Sequence, residues 1–465
     1  MNRRQESSKK HECGAAALCL LLPLLVLIVL STNFRPQLAS YWIVGSLPWE
    51  ASTDKLTSNV AATRDVAAPI NSSKLTCNFS SFRTNTCTME GDLRIDGKSG
   101  TIHVVSSSTY RPENSTIKLH PYPRKWEKEA MSLVREVTVR STPPAAGADG
   151  GGASPPPPCS VTHEVPAVVF STGGFNWNIF HIMCDIVIPL YLTARHYNGR
   201  VHLLATDYDA KVITKYKKIF DALSIYPVID FDSDATVRCF PSAYVGLESH
   251  KELSIDPALS RYGYTMVTFG DFVRSAYSLQ RSSVSRSSGV QKKKPRVVML
   301  LRRHIREITN EAAAVAAVSD AGFEVITAGV EDVVDLERFA AVVNSGEVLL
   351  GVHGSGLTNM LFLPRKATVA QIIPWGEVKW ACRNSHGDQV PDLGLRYAEY
   401  EVTAEETTLA ERYPRDHAVF TDPLSIHRQG YDKVWHIFIN GQNVTLDINR
   451  FRGFVQQLYQ SIVTE

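Results

Sequence analysis

Short apolar runs of strand length alternate with helical stretches through residues 165–374. The predicted strands are 165–171, 201–207, 226–232, 296–302, 323–329, 347–353 and 368–374. Helices are predicted over 176–197, 210–223, 311–321 and 335–344, and from about 356. Strands that alternate with helices of this length form parallel sheets, so the sequence predicts an α/β fold. Ligands of such sheets bind beyond the carboxyl ends of the strands.

Two low-complexity stretches divide the chain. Residues 141–158, "STPPAAGADGGGASPPPP", are too rich in Pro, Gly and Ala to build a core and indicate a flexible loop. Residues 281–295, "RSSVSRSSGVQKKKP", separate the two arrays of strands and helices. We therefore predict two Rossmann-like domains that face a cleft, over 73–280 and 296–465, joined by a linker at 281–295.

The N-terminus carries a membrane-anchor pattern. Four basic residues within 1–13 precede an apolar run, 14–31, of about the length that a bilayer core requires. This arrangement predicts a cytosolic tail, 1–13, a transmembrane anchor, 14–31, a stem, 32–72, and a luminal body. A cleaved signal peptide is the alternative, but the run is long and no clear A-x-A site follows it.

A luminal body is consistent with the sequons and cysteines of the chain. Four N-x-S/T sequons predict glycosylation at Asn71, Asn78, Asn114 and Asn443. Cys77 and Cys87 are close enough in sequence to form a local disulfide. The pairing of the four later cysteines cannot be read from the sequence: Cys159, Cys184, Cys239 and Cys382. No Cys/His spacing matches a zinc site, and the net charge of +2 is too small to indicate a nucleic-acid partner.

The stretch "GGFNWNIFHIMCDIVIPLYL" (173–192) is apolar apart from one polar stripe. On a helix Asn178, His181 and Asp185 would share one face, with apolar residues around the rest. A buried Asp or His needs a partner, and residues four apart can pair. The pair has the geometry of a general base, with a structural hydrogen bond that fixes the helix as the alternative.

Two further candidates follow strands of the second array. In "LLRRHIREITN", Arg302, Arg306 and Asn310 are spaced by four, and arginine forks suit phosphate oxygens. Ordinary surface arginines are the alternative. In "LLGVHGSGLTN", four residues form a small-residue turn before a predicted helix: His353, Gly354, Ser355 and Gly356. Such a turn lets backbone N–H groups approach an anion.

Three other readings of these motifs are weaker. The turn lacks the first Gly of the G-x-S-x-G elbow, which argues against a serine hydrolase. A metal site that joins His181 and His353 lacks further ligands, and we predict no metal site. Asp230 and Asp232 spell a D-x-D triplet, but turn residues after a strand give it readily.

Taken together, the motifs resemble glycosyltransferase family sixty-one. The similar pieces are "STGGFNWNIFHIMCDIVIPLYL", "RRHIREITN", "GVHGSGLTNMLFLP", "IIPWG", "LGLRYAEY", "TCTMEGDLRIDGKSGTIHVV" and "HPYPRKWEKEAM". Their order, over roughly residues 74–460, is similar to the grass-type plant branch of the family.

The resemblance implies a GT-B-like fold, a type II Golgi membrane location and an inverting UDP-sugar transferase. It implies a UDP cradle at Arg302 or Arg303, Arg306 and the 353–356 turn, with Trp375 also at the substrate. His181 and Asp185 would lie on the acceptor side, with Asp185 or the His181–Asp185 pair as base. No cofactor is required, and the sequence leaves open whether a divalent ion stimulates UDP release or Golgi partners bind.

The expected reaction is transfer of a pentose to side-chain positions of xylan or xylo-oligosaccharides, with β-1,2-xylosyl transfer favoured. Xylan α-1,3-arabinofuranosyl transfer and N-glycan β-1,2-xylosyl transfer are alternatives. A non-catalytic Golgi carbohydrate-binding scaffold is the alternative of another class.

Overall fold

The computed structural model describes residues 73–106, 116–142, 155–284, 294–329 and 331–464. The predicted tail, anchor and stem lie outside these residues, as do Asn71, Asn114 and most of both low-complexity stretches. Within the described part of the chain, no helix is long and apolar enough to cross a membrane.

The first sheet is mixed. Among the described residues it contains ten strands: β1 Lys74–Asn78, β2 Thr86–Asp96, β3 Thr101–Val105, β4 Thr116–Leu119, β5 Val137–Thr142, β6 Val161–Thr162, β7 Ala167–Ser171, β8 His202–Thr206, β9 Ile229–Asp230 and β10 Val237–Val245. The main order is β4-β5-β3-β2-β10-β7-β8-β9, with β1 on β2 and β6 on β10. Strands β10, β7, β8 and β9 run parallel, whereas β2 is antiparallel to β10 and β3. The parallel prediction therefore holds for only part of this sheet.

The second sheet is wholly parallel, as predicted. Its described strands are β11 Arg296–Leu300, β12 Glu324–Ala328, β13 Val348–Val352, β14 Thr368–Ile373 and β15 Arg396–Glu401. Their order is β12-β11-β13-β14-β15. β13 and β14 are buried along their whole length because sheet neighbours and flanking helices cover both faces.

Helices flank the two sheets. Among the described residues the α-helices are Lys128–Ser132, Ile179–His181, Ile188–Ala194, Ala210–Lys215, Lys217–Leu223, Met266–Ala276, Glu311–Asp320, Leu336–Asn344, Lys379–Ser385, Ala418–Thr421, Pro423–His427, Tyr431–Val434 and Ile448–Val463. The last of these, Ile448–Val463, is capped by Asp447, whose carboxylate accepts hydrogen bonds from the backbone N–H groups of Asn449 and Arg450. The α/β class is thus confirmed.

The predicted helix 176–197 is not one regular helix. It begins at the cap Asn178, runs as an α-helix over Ile179–His181 and widens to a π-helix over Ile182–Val187. An α-helix, Ile188–Ala194, and a 3-10 turn complete it. A π segment inserts extra chain into a helical turn, and such segments occur frequently at functional sites.

One apolar core joins the two sheets. It contains Phe170 and Ile186 from the first half of the chain and Leu349 and Phe362 from the second. The helix Met266–Ala276 packs onto this second half, and its Arg274 donates a hydrogen bond from Nη1 to the Leu363 carbonyl at 2.9 Å.

Two disulfides stabilise the first sheet. The predicted Cys77–Cys87 bridge is confirmed and links β1 to β2. A second bridge, Cys159–Cys239, joins the chain before β6 to β10. Cys184 and Cys382 are buried free thiols.

Candidate active site

Two arginines lie against the small-residue turn that follows β13. Gly354 has a φ of 150°, a backbone conformation that residues other than glycine rarely adopt. A Cβ at this position would overlap the Arg302 guanidinium. The same Cβ would stand 3.6 Å from Cζ of Arg306. The glycine therefore lets two cations approach the backbone at one point.

Among the described residues neither Arg302 nor Arg306 forms an ion pair, and Nε of Arg306 is buried without a hydrogen bond. Burial lowers the pKa of Arg302, and burial together with the Arg302 charge lowers the pKa of Arg306 to about 9. Buried charge is normally paired, so the turn is a positively charged site suited to an anion.

The position of Arg306 is fixed by strained backbone. Its φ is +54°, unusual for a residue with a side chain, and its backbone N–H donates to the Gln442 carbonyl at 2.9 Å. The segment 301–310 is a loop rather than a helix, so the spacing of four does not arise from a helical face. Strain of this kind is concentrated at functional sites.

The neighbouring arginine has a different position. Nη1 of Arg303 donates to the Glu311 carboxylate at 2.7 Å on the protein surface. Arg302 is therefore the one that contacts the glycine turn. Asn310 is also directed elsewhere: its amide nitrogen donates to the Leu446 carbonyl and its amide oxygen accepts from the Leu446 N–H, which fixes a loop.

His353 is a buried neutral donor beside the arginines. Its Nδ1 accepts from Nε2 of Gln371 at 2.8 Å, and the amide is oriented by Tyr397, whose hydroxyl donates to the Gln371 oxygen. Burial, together with the charges of His386 and both arginines, lowers the pKa of His353 well below its ordinary value. Nε2 of His353 then carries the proton.

The helix predicted from about 356 is present as a 3-10 helix, Ser355–Phe362. Ser355 and Gly356 are half-buried at its start. The tighter winding follows from the Gly354 geometry, and the first helical bond runs from the Leu357 N–H to the Gly354 carbonyl at 3.0 Å.

The predicted His181–Asp185 hydrogen bond is present, with 3.0 Å between Nδ1 and Oδ2. Asp185 is fully buried, whereas the His181 side chain is 19% exposed. The Oδ2 of Asp185 accepts two further hydrogen bonds, from Oη of Tyr122 at 3.0 Å and Nε of Arg124 at 2.9 Å. An acceptor that enters from solvent can therefore reach His181 but not Asp185.

The Asp185 carboxylate is ionised. Burial alone would raise its pKa, but the hydrogen bond from His181 and the charge of Arg124 outweigh burial and lower the pKa. A carboxylate only accepts hydrogen bonds, so Nδ1 of His181 donates and, in the neutral imidazole, Nε2 has a free lone pair. Arg124 also pairs with Glu252 at 3.0 Å, which extends the buried charge network.

Asn178 does not join this pair. Its Oδ1 accepts from the Phe180 backbone N–H at 3.0 Å and caps the helix. Phe180 connects the two parts of the site, since its ring lies 5.3 Å from the His386 ring, which in turn lies 5.7 Å from that of His353. The His181 helix and the arginine turn thus line one region.

Trp375 makes structural contacts, and its place at the substrate stays a prediction. Its indole N–H donates to the Val419 carbonyl at 3.1 Å, and its ring stacks on Phe420. The D-x-D triplet also has a structural role: Asp230 accepts from two backbone N–H groups of its own turn, and Asp232 pairs with Arg135.

Within the described residues, one group has metal-ligand spacing: Asp92 with Cys159 and Cys239. Because these two cysteines form a disulfide, they offer no thiolate to a metal. The described sequon residues differ in setting. Asn78 is exposed, whereas Oδ1 of the half-buried Asn443 accepts from the Glu307 N–H at 3.0 Å. Their glycosylation stays a prediction.

The sequence reasoning assigned no role to Tyr122, Arg124, Glu252, Gln371 or His386. Tyr122 and Arg124 lie in "HPYPRKWEKEAM", which the sequence marks only as a motif similar to the family. Arg124 lies 61 positions from Asp185. No local periodicity reports such a contact.

The sequence matches the family described as Glycosyltransferase 61 over residues 179–370. An α-1,3-arabinosyltransferase of rice, Oryza sativa subsp. japonica, is 40% identical over 83% of this chain and 64% of its own length. A β-1,2-xylosyltransferase of the same organism is 36% identical over 97% of both chains. A xylan glycosyltransferase of Arabidopsis thaliana is 31% identical over 97% of this chain and 94% of its own. The chain thus spans just under two thirds of the arabinosyltransferase and nearly all of the other two relatives.

Proposed function

Because this chain belongs to glycosyltransferase family 61, we propose that it is an inverting transferase that moves a pentose from a UDP-sugar to a side-chain position of xylan. Transfer of a β-1,2-xylosyl group is favoured, since the rice β-1,2-xylosyltransferase aligns with almost the entire chain. Transfer of an α-1,3-arabinofuranosyl group is the second candidate, supported by the 40% identity to the rice arabinosyltransferase.

The observation that carries the proposal is the pair of arginines at Gly354, Arg306 buried and Arg302 half-buried, which have no carboxylate partner among the described residues. The diphosphate of UDP supplies the missing negative charge, and arginine forks bind phosphate oxygens bidentately. As the bond between the anomeric carbon and UDP breaks, negative charge grows on the leaving diphosphate. Arg302, Arg306 and the N–H of His353 Nε2 stabilise that charge.

His181 is the proposed general base. Its Nε2 lone pair takes the proton from the acceptor hydroxyl as the hydroxyl oxygen bonds to the anomeric carbon and UDP departs from the opposite face. Asp185 holds the imidazole in this tautomer and stabilises the imidazolium that forms. Attack from the opposite face inverts the anomeric centre, so UDP-α-xylose gives a β-xyloside and UDP-β-arabinofuranose gives an α-arabinoside.

The finer features of fold and location belong to the same proposal. We place the acceptor on the domain over 73–280 and the nucleotide on the domain over 296–465, in a GT-B-like arrangement. The apolar run 14–31 would anchor the protein in the Golgi membrane with its body in the lumen. The supports are the basic residues before that run and the disulfides, which form in oxidising compartments.

The test is a transfer assay with the full-length protein and xylo-oligosaccharides. UDP-xylose and UDP-arabinofuranose are supplied in separate reactions, and the linkage in the product is determined by NMR. We expect transfer from one donor only. UDP binding without transfer from either donor would redirect the assignment to an N-glycan acceptor, and absence of UDP binding would leave the non-catalytic scaffold.

A further inference from the structure

Trp177 lies on the surface four residues before His181. Its side chain is 70% exposed although it sits beside a buried helix. One exposed apolar residue needs no explanation, but this one borders a cleft of about 520 Å³. Asn176, Tyr208, Asp209 and Lys211 also line that cleft.

The cleft opens at the carboxyl ends of two parallel strands. Gly173 follows β7 closely and Asp207 follows β8 directly, and both residues line it. This is the edge at which α/β sheets bind ligands. These residues belong neither to the His181–Asp185 pair nor to the arginine turn.

The backbone around the cleft is fixed. Gly174 has a φ of +65°, where a Cβ would lie 2.5 Å from the Tyr122 ring, and Asp207 has a φ of +51°. The Asn176 amide nitrogen donates to the Thr172 carbonyl at 2.9 Å and to Oδ2 of Asp209 at 3.1 Å. Trp177 therefore projects from a rigid support, and ligand binding requires little ordering of this segment.

Aromatic contacts connect the cleft to the proposed base. The Phe175 ring lies edge-on to Trp177 at 5.4 Å and to His181 at 4.8 Å. A ligand that covers Trp177 thus continues toward His181. The charged side chains that line the cleft are mixed in sign, with Asp207 and Asp209 acidic and Lys211 basic, which suits a neutral polyhydroxyl ligand rather than an ion.

From these contacts we infer that the cleft is a distal acceptor subsite, where Trp177 stacks on a xylosyl ring of the acceptor chain beyond the sugar that reacts at His181. The inference rests on the proposed function, because it takes the acceptor to be a xylan chain. It predicts that contact with Trp177 makes long acceptors better substrates than short ones.

The experiment compares xylohexaose with xylobiose as acceptors for the full-length wild type and Trp177→Ala. We expect the variant to lower kcat/KM for xylohexaose about 10-fold, to leave the value for xylobiose within twofold, and to leave UDP affinity unchanged. Trp177→Phe, which keeps a ring, should recover most of the loss. The matched control is Tyr262→Ala, because Tyr262 is also exposed but stacks on His196 away from the cleft.

An unchanged ratio of the two kcat/KM values in Trp177→Ala would overturn the subsite. Should that variant lose UDP binding, Trp177→Gln gives the same comparison. Calorimetry with xylohexaose separates the two levels of the proposal. Wild-type protein that binds xylohexaose through Trp177 but transfers no pentose would refute the proposed function and keep the subsite. Pentose transfer that is unaffected by replacement of Trp177 would refute the subsite and keep the proposed function.

Discussion

Replacing Arg306 by Met tests whether the arginine turn is built for an anion. In the absence of UDP the Arg306 charge is buried beside Arg302, and no described carboxylate pairs with it. A pKa lowered from 12.5 to about 9 corresponds to roughly 5 kcal/mol of unfavourable free energy, at about 1.36 kcal/mol per pKa unit. Relaxation of the protein and access of water reduce the part that appears in the free energy of unfolding, to about 1–3 kcal/mol. We therefore expect Arg306→Met to be more stable than the wild type without UDP.

In the presence of UDP we expect the order of stability to reverse, with the wild type more stable than Arg306→Met. Loss of a charged hydrogen bond to the diphosphate weakens UDP binding by roughly 1.5–3 kcal/mol, which is about 10- to 150-fold in Kd. Urea unfolding with and without UDP measures the first effect, and calorimetry measures the second. Arg303→Met is the matched control, since that arginine lies on the surface and pairs with Glu311, so both quantities should change little. An Arg306→Met protein that is less stable and binds UDP normally would refute the reasoning.

Three further predictions concern the base, metal dependence and the disulfides. Asp185→Asn should lower kcat at least about 100-fold with UDP affinity within twofold; normal turnover would exclude Asp185 from catalysis. The folded-state pKa of Asp185 lies below its ordinary value of 3.8. The Asp185 carboxylate therefore contributes its full stabilisation above pH 3.8, and this stabilisation is lost as the pH falls through the folded-state pKa. Urea unfolding should show that Asp185→Asn lacks this acid dependence. Turnover should persist in excess EDTA, since arginines supply the charge at the diphosphate; abolition by EDTA that added Mn²⁺ restores would contradict this. Replacing Cys159 and Cys239 by Ser should lower the free energy of unfolding by about 4 kcal/mol, against about 3 kcal/mol for Cys77 and Cys87. The reason is that the Cys159–Cys239 bridge spans 80 residues and the Cys77–Cys87 bridge spans 10. Urea unfolding that gives equal losses would contradict the loop-length reasoning.

The second sheet was predictable because its inner strands are short, mainly apolar runs. Residues 348–352 and 368–373 are buried throughout, and sequence alone reveals such runs. The antiparallel strands of the first sheet were missed. In β2 Cys87, Met89, Leu93 and Ile95 are buried while polar residues intervene, but the inward position between them is Gly91, which has no apolar side chain to mark the strand.

The site was predictable where its contacts are local. The His181–Asp185 bond follows from a spacing of four, and it is present although Asp185 lies within the π segment that begins after His181. The partner of Asp185 on the other side, Arg124, could not be found this way, because only the tertiary fold brings it there. Likewise, the loop that turns Arg306 inward depends on a distant carbonyl, that of Gln442.

The shared core also limits how the molecule moves. Ile186 and Phe362 belong to one apolar cluster, so a wide hinge opening between the sheets would expose that cluster to water, at about 25 cal/mol for each Å² of apolar surface. Small displacements of loops demand far less. We therefore expect a nucleotide to enter and a product to leave through movement of short segments such as 301–310, with little change in the relative orientation of the two sheets.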